Sequence, residues 1–325
     1  MPTSLRFRLL ALFAAVSAWV LVAVGGIVRV TESGLGCPDW PLCEGNVIPA
    51  QSRAPIIEFS HRATTTLVTL LVFVTAVWAW RAYRSRRDIT VPAITAVLFI
   101  PLQALLGAVV VWLELPPWIV AVHFVVGMLF LAATVVAAGR AWQRPVAASR
   151  AFVRTAWVGA GTSLVLVLLG AAVVAAHADE ACGRQWPACN GGFASGGGLA
   201  VLQVAHRSFA YAVAAIAVVL AVLAWRGRGP WLAGAVTFAA VVAQIGFGIS
   251  LVLVEEGTHA HRVLEILHIA GAGAVWASLV AVAAFLGPPG RGRARQSLRS
   301  TGTYPVTGGR NVRFRLFPQS VAAEH

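Results

Sequence analysis

Eight stretches of this chain are apolar for long enough to cross a bilayer: residues 8–28, 62–80, 92–113, 117–139, 154–176, 205–225, 231–254 and 266–286. Such runs read as membrane-spanning helices, because about 20 residues at 1.5 Å each cross the hydrocarbon core. The composition agrees: 58% of residues are hydrophobic and 11% charged, where a soluble domain carries about 25% charged residues. The first run continues apolar through "SAWVLVAVGGIVRV", past the usual length of a cleavable signal peptide. The expected fold class is an all-α polytopic membrane protein with eight transmembrane helices.

The formal net charge is +13, and every basic residue is arginine. The distribution of the arginines argues against a nucleic-acid partner. They gather at Arg6 and Arg8, in "RAYRSRR" at 81–87, at 140–154, at 226–228 and from 291 onward. Those places are the N-terminus, every second loop and the C-terminal segment, which the positive-inside rule puts in the cytoplasm. Glu32, Asp39, Glu44, Glu114, Asp179, Glu255 and Glu256 fall on the opposite side. Eight spans with both termini cytoplasmic satisfy the two patterns together. All four cysteines then lie outside, Cys37 and Cys43 in the first outer loop, Cys182 and Cys189 in the third. Pairs on an oxidising face favour disulfides, and a structural zinc would need four convergent ligands.

The chain repeats itself. His61 and His206 are 145 residues apart, as are His123 and His268, Cys37 and Cys182, and Gly25 and Gly170. "DWPLC" at 39–43 answers "QWPAC" at 185–189, and "QALLGA" at 103–108 answers "QIGFGI" at 244–249 with an offset of 141. Two tandem four-helix bundles follow, and an even number of spans in each keeps them in parallel orientation. The expected domains are 1–145, 146–290 and an Arg/Gly-rich cytoplasmic segment, 291–325, whose composition reads as disordered.

His61 and His123 fall in the second and fourth spans, and His206 and His268 in the sixth and eighth, all toward the outer side. A lone histidine near a helix end is ordinarily an interfacial side chain. Two pairs at one separation point instead to axial haem ligands, for which facing histidines in a four-helix bundle are suited. Gly127 and the glycines at 271 and 273 would let a flat macrocycle approach the backbone, or serve plain helix packing. His177, His259 and His261 read as outer-loop residues and His325 as part of the C-terminal segment.

Glu58 stands three residues before His61 in "EFSHR", and the equivalent place in "QVAHR" holds Gln203. A carboxylate at a helix start complements the dipole and needs no chemistry. That reading leaves the substitution in the second half unexplained, because glutamine cannot take up a proton or balance a positive charge. One reactive half and one holding half would explain it. Arg62 and Arg207 follow the histidines in both halves; haem propionates suit a guanidinium, and snorkelling to lipid headgroups is the competing reading.

These features together resemble bacterial haem A synthase, over roughly residues 10 to 286. The carriers are eight spans in two halves, "ExxHR" entering the second span, the paired histidines, the outer-loop cysteine pairs and "RVTESGLGCPDWPLC". The resemblance implies an oxidoreductase of the bacterial cell membrane that converts the C8 methyl of haem O to a formyl group, giving haem A for terminal oxidases. It implies haem O as substrate between His61 and His123, haem B as cofactor on His206 and His268, and Glu58 as the catalytic acidic residue. It also implies haem O synthase as supplier and an electron acceptor, and it is compatible with a homo-oligomer. For Cys37–Cys43 it leaves haem handling or redox chemistry beside a structural disulfide; Cys182–Cys189 is expected to be structural. The rivals are a dihaem electron-transfer protein of the cytochrome b561 type, which leaves Glu58 unexplained, and a haem transporter, which would favour midplane sites and broken helices.

Overall fold

The structure, a computed structural model, describes residues 2–43, 45–46, 48–143, 148–187, 189 and 197–286. The expectations for Glu44, for His325 and for the segment 291–325 lie outside the described residues. Eight helices follow in chain order: α1 Leu5–Val30, α2 Arg53–Ala82, α3 Arg87–Trp112, α4 Pro117–Ala141, α5 Arg150–Ala175, α6 Gly198–Trp225, α7 Trp231–Leu253 and α8 His259–Leu286. Each is long and apolar enough to span a membrane, so the chain is a multi-pass membrane protein.

The repeat reaches the helix ends. Ser4 caps α1 by accepting from the N–H of Phe7 at 3.3 Å, and Ser149 caps α5 by accepting from that of Phe152 at 3.2 Å. Both phenylalanines are fully buried. At the other end of these helices, Glu32 and His177 take left-handed φ values of 53° and 52°. There the N–H groups of Ser33 and Ala178 reach back to the carbonyls of Val28 and Val173, which satisfies carbonyls the helix leaves open. His177 is exposed, and its place in the first half belongs to Glu32.

In the first half α1 packs on α2, α2 on α3, α3 on α4 and α4 back on α1. The second half closes the same way through α5, α6, α7 and α8, and the seam runs between α1 or α4 and α8, and between α4 and α5. One apolar cluster crosses that seam, joining Ala11 and Ala18 of α1, Met128 and Leu131 of α4, Phe152 of α5 and Leu279 of α8. Two indoles pin it. Trp19 donates to the carbonyl of Ala270 at 2.9 Å, and Trp276 to that of Met128 at 2.8 Å. Carbonyls freed in a helix interior need such partners where no water reaches them.

Six helices begin earlier than their apolar runs, α2, α3, α6 and α8 by five residues or more. α2 starts at Arg53, so Glu58 and His61 lie inside the helix and not at its mouth. Cys37, Asp39 and Leu42 of the preceding loop lie over these first turns, bonded to Glu58 and Arg62. α3 starts at Arg87, so Pro92 joins Pro101 as an interior proline. α8 starts at His259, because the Thr258 hydroxyl accepts from the N–H of His261 at 3.1 Å. That N-cap takes His259 and His261 out of the loop where the sequence placed them.

Candidate functional site

The N-terminal ends of α2 and α6 carry the same construction. Cys37 and Cys43 form a disulfide over α2, and Cys182 and Cys189 form one over α6. Arg62 donates to the carbonyls of Asp39 at 3.0 Å and Pro41 at 3.4 Å. Arg207 donates to those of Gln185 at 2.8 Å and Pro187 at 3.5 Å, the equivalent residues. Arg62 reaches Leu42 and Cys37 as well. The guanidiniums thus share a task, as the repeat suggested, in that each holds carbonyls of the loop above it.

Beneath the loop the halves part. Glu58 is 4% exposed; its Oε2 accepts from the Cys37 N–H at 2.8 Å and its Oε1 from Arg62 at 2.5 Å. Gln203 is 8% exposed, and its Nε2 donates to the carbonyl of Asp179 at 3.1 Å. One position therefore carries a paired acid facing donors in the first half, and an amide facing a carbonyl in the second.

The four histidines are half-buried. Each lies against a glycine of the preceding helix. A Cβ would come within 3.4 Å of His61 at Gly25, 3.5 Å of His123 at Gly107, and 3.1 Å of His206 at Gly170 and of His268 at Gly248. Gly127 and Gly271, read from sequence as clearance for a macrocycle, face the side chains of Gln103 and Gln244, and Gly273 faces Trp19. Those glycines serve protein packing. The glutamines went unnoticed in the sequence, although the 141-residue offset that pairs Gly107 with Gly248 also pairs them.

A haem fits what these residues offer. Each ring of four helices carries two imidazoles, on its second and fourth helices, that remain partly exposed. Among the described residues no group of three or more His, Cys, Asp and Glu gathers as it would for a bare ion, and two nitrogen ligands suit an iron whose other ligands come from a macrocycle. One surface recess, about 480 Å³, lies elsewhere, along the C-terminal half of α2 between Phe73 and Ala82, and no histidine or carboxylate lines it.

The sequence profile of the COX15-CtaA family, described as cytochrome oxidase assembly protein, matches residues 8–280. The chain belongs to this family. Within it, the chain is similar to the haem A synthase of Exiguobacterium sibiricum, with 33% identity over 193 residues, 57% of this chain and 64% of the relative. It is 37% identical over 180 residues to that of Halalkalibacterium halodurans, covering 53% and 60%. With that of Listeria welshimeri it shares 41% over 123 residues, covering 37% and 40%. These alignments span less than two thirds of the relatives' own lengths. The family match takes in the whole constellation from Gly25 to His268.

Proposed function

We propose that this chain is a haem A synthase, an oxidoreductase that turns the C8 methyl of haem O into a formyl group for cytochrome oxidase assembly. Family membership and the names of its relatives support the reaction class. The observation that carries the division of labour is the difference between Glu58 and Gln203 under otherwise equivalent disulfide loops. In this reading His61 and His123 hold haem O, and His206 and His268 hold haem B. Haem B supplies one-electron transfer when bound.

The protein's part is positional and electrostatic. The histidine pairs fix the two macrocycles, and the apolar helix rings exclude water from them. Glu58 provides a carboxylate able to accept a proton or to offset positive charge as the methyl is hydroxylated twice and water is lost. Arg62 holds that carboxylate in place. Propionate contacts by Arg62 and Arg207 would share guanidiniums already engaged with loop carbonyls. The arginine pattern orients the sites toward the outer face with both termini in the cytoplasm; haem O synthase is the natural supplier, and an electron acceptor completes the cycle.

A second reading draws on the equality of the two scaffolds. Matching His–Gly and His–Gln arrangements in both halves would equally suit two resident b haems passing electrons. Extraction of the pigments bound after co-expression with haem O synthase separates the two. Haem B together with haem O or haem A supports the synthase, haem B alone supports electron transfer, and absence of haem overturns both.

A further inference from the structure

We propose that Gln103 and Gln244 are positioning residues for the axial histidines of α4 and α8. Gln103 Nε2 donates to the carbonyl of His123 at 3.1 Å, and Gln244 Nε2 to that of His268 at 3.0 Å. Each glutamine therefore grips the main chain of the residue whose imidazole faces the cleft. A glycine one turn beyond each histidine makes the room. A Cβ at Gly127 would stand 3.0 Å from Gln103 Nε2, and one at Gly271 would overlap Gln244 Oε1. The arrangement occurs in both halves, on glutamines 141, histidines 145 and glycines 144 residues apart, so a single packing accident does not explain it.

The amides also leave something unfinished. Oε1 of Gln103, Oε1 of Gln244 and Nδ1 of His123 are buried with no hydrogen-bond partner among the described residues. Gln244 Nε2 stands 3.2 Å from His268 Nδ1. An imidazole that binds iron through Nε2 must carry its proton on Nδ1, and that N–H needs an acceptor. The unpaired amide oxygen is such an acceptor. A rotation of the amide brings Oε1 to the Nδ1–H in exchange for the Nε2 bond to the histidine carbonyl, so the side chain holds the backbone in one orientation and the ring in the other.

The proposal rests on the haem-ligating reading of these histidines, and its test separates the two. Full-length wild type, Gln244→Leu, Gln244→Glu and Gly271→Ala are purified with their haem. For each, the haem B content, the low-spin electron paramagnetic resonance signal and the midpoint potential are measured. Loss of the acceptor in Gln244→Leu weakens the electron donation of His268, so the potential rises and the resonance positions move. Gly271→Ala, by displacing the amide, shifts the potential the same way. Gln244→Glu keeps a stronger acceptor at the same reach and shifts the potential downward. Opposite signs for Leu and Glu are the result a merely space-filling glutamine would not give. Haem B present at an unchanged potential in both Gln244 variants overturns the proposal and leaves ligation standing. Wild type without haem overturns both. If Gln244→Leu does not fold, the downward shift in Gln244→Glu decides, and its absence counts against the proposal.

Discussion

The main-chain N–H of Cys37 donates to Oε2 of Glu58 across 2.8 Å, tying a disulfide-closed loop to a carboxylate inside α2. Both partners are buried, Cys37 completely. The loop that hides Glu58 is therefore also what holds it, and the outer loop and the candidate chemistry stand or fall together.

That coupling predicts the effect of opening the loop. The Cys37–Cys43 and Cys182–Cys189 rings are similarly short, with sequence separations of 6 and 7. Removing either should cost a similar amount, on the order of 2 kcal/mol. Replacing Cys37 and Cys43 with serine should in addition lower haem A formation, because it frees the lid over Glu58. Replacing Cys182 and Cys189 should leave that lid intact and lower haem B retention instead. Thermal unfolding followed by intrinsic fluorescence, with pigment ratios on the same samples, checks both.

The two arginines should respond unequally. Arg62→Ala strands the Glu58 carboxylate as well as several loop carbonyls, and breaking a buried ion pair costs about 3–5 kcal/mol. Arg207→Ala strands loop carbonyls over an uncharged Gln203, which costs about 1–3 kcal/mol. Denaturation midpoints in detergent should fall further for Arg62→Ala. Equal falls would contradict the role given to the Glu58 pair.

Glycine substitutions should be graded by the space they fill. Gly170→Ala and Gly248→Ala put a methyl 3.1 Å from His206 and His268, whereas Gly25→Ala and Gly107→Ala leave 3.4 and 3.5 Å. The first pair should deplete haem B in the purified protein, and the second pair should be milder toward the N-terminal haem. Gly161→Ala, with nothing within 4 Å, should leave haem content unchanged and gain up to about 1 kcal/mol of helix stability. Haem content per polypeptide from the pyridine haemochrome gives the order.

The legible and illegible parts of the sequence differ for physical reasons. Long apolar runs and a fixed offset are one-dimensional signals, so the eight helices, the histidine pairs, the disulfides and the Glu58–Gln203 contrast could be read directly. Helix starts could not, because Arg53–Ser60 sets Arg53, Pro55 and Glu58 among its apolar residues and so does not extend the apolar run. Nor could the partners of Arg62 and Arg207, since a main-chain carbonyl has no letter in the sequence. The clearance glycines illustrate the same limit. Gly127 and Gly271 were visible as small residues near a ligand, but whether they made room for a macrocycle or for Gln103 and Gln244 depends on where α3 and α7 stand.

The reactivity proposed for the N-terminal half rests on the Glu58 carboxylate. Glu58→Gln keeps the shape and an acceptor for the Cys37 N–H while removing the charge and the proton-accepting carboxylate. Co-expressed with haem O synthase and extracted, this variant should retain haem B and accumulate haem O, with haem A reduced by about 100-fold or more. Haem A at the wild-type level in Glu58→Gln would contradict the account.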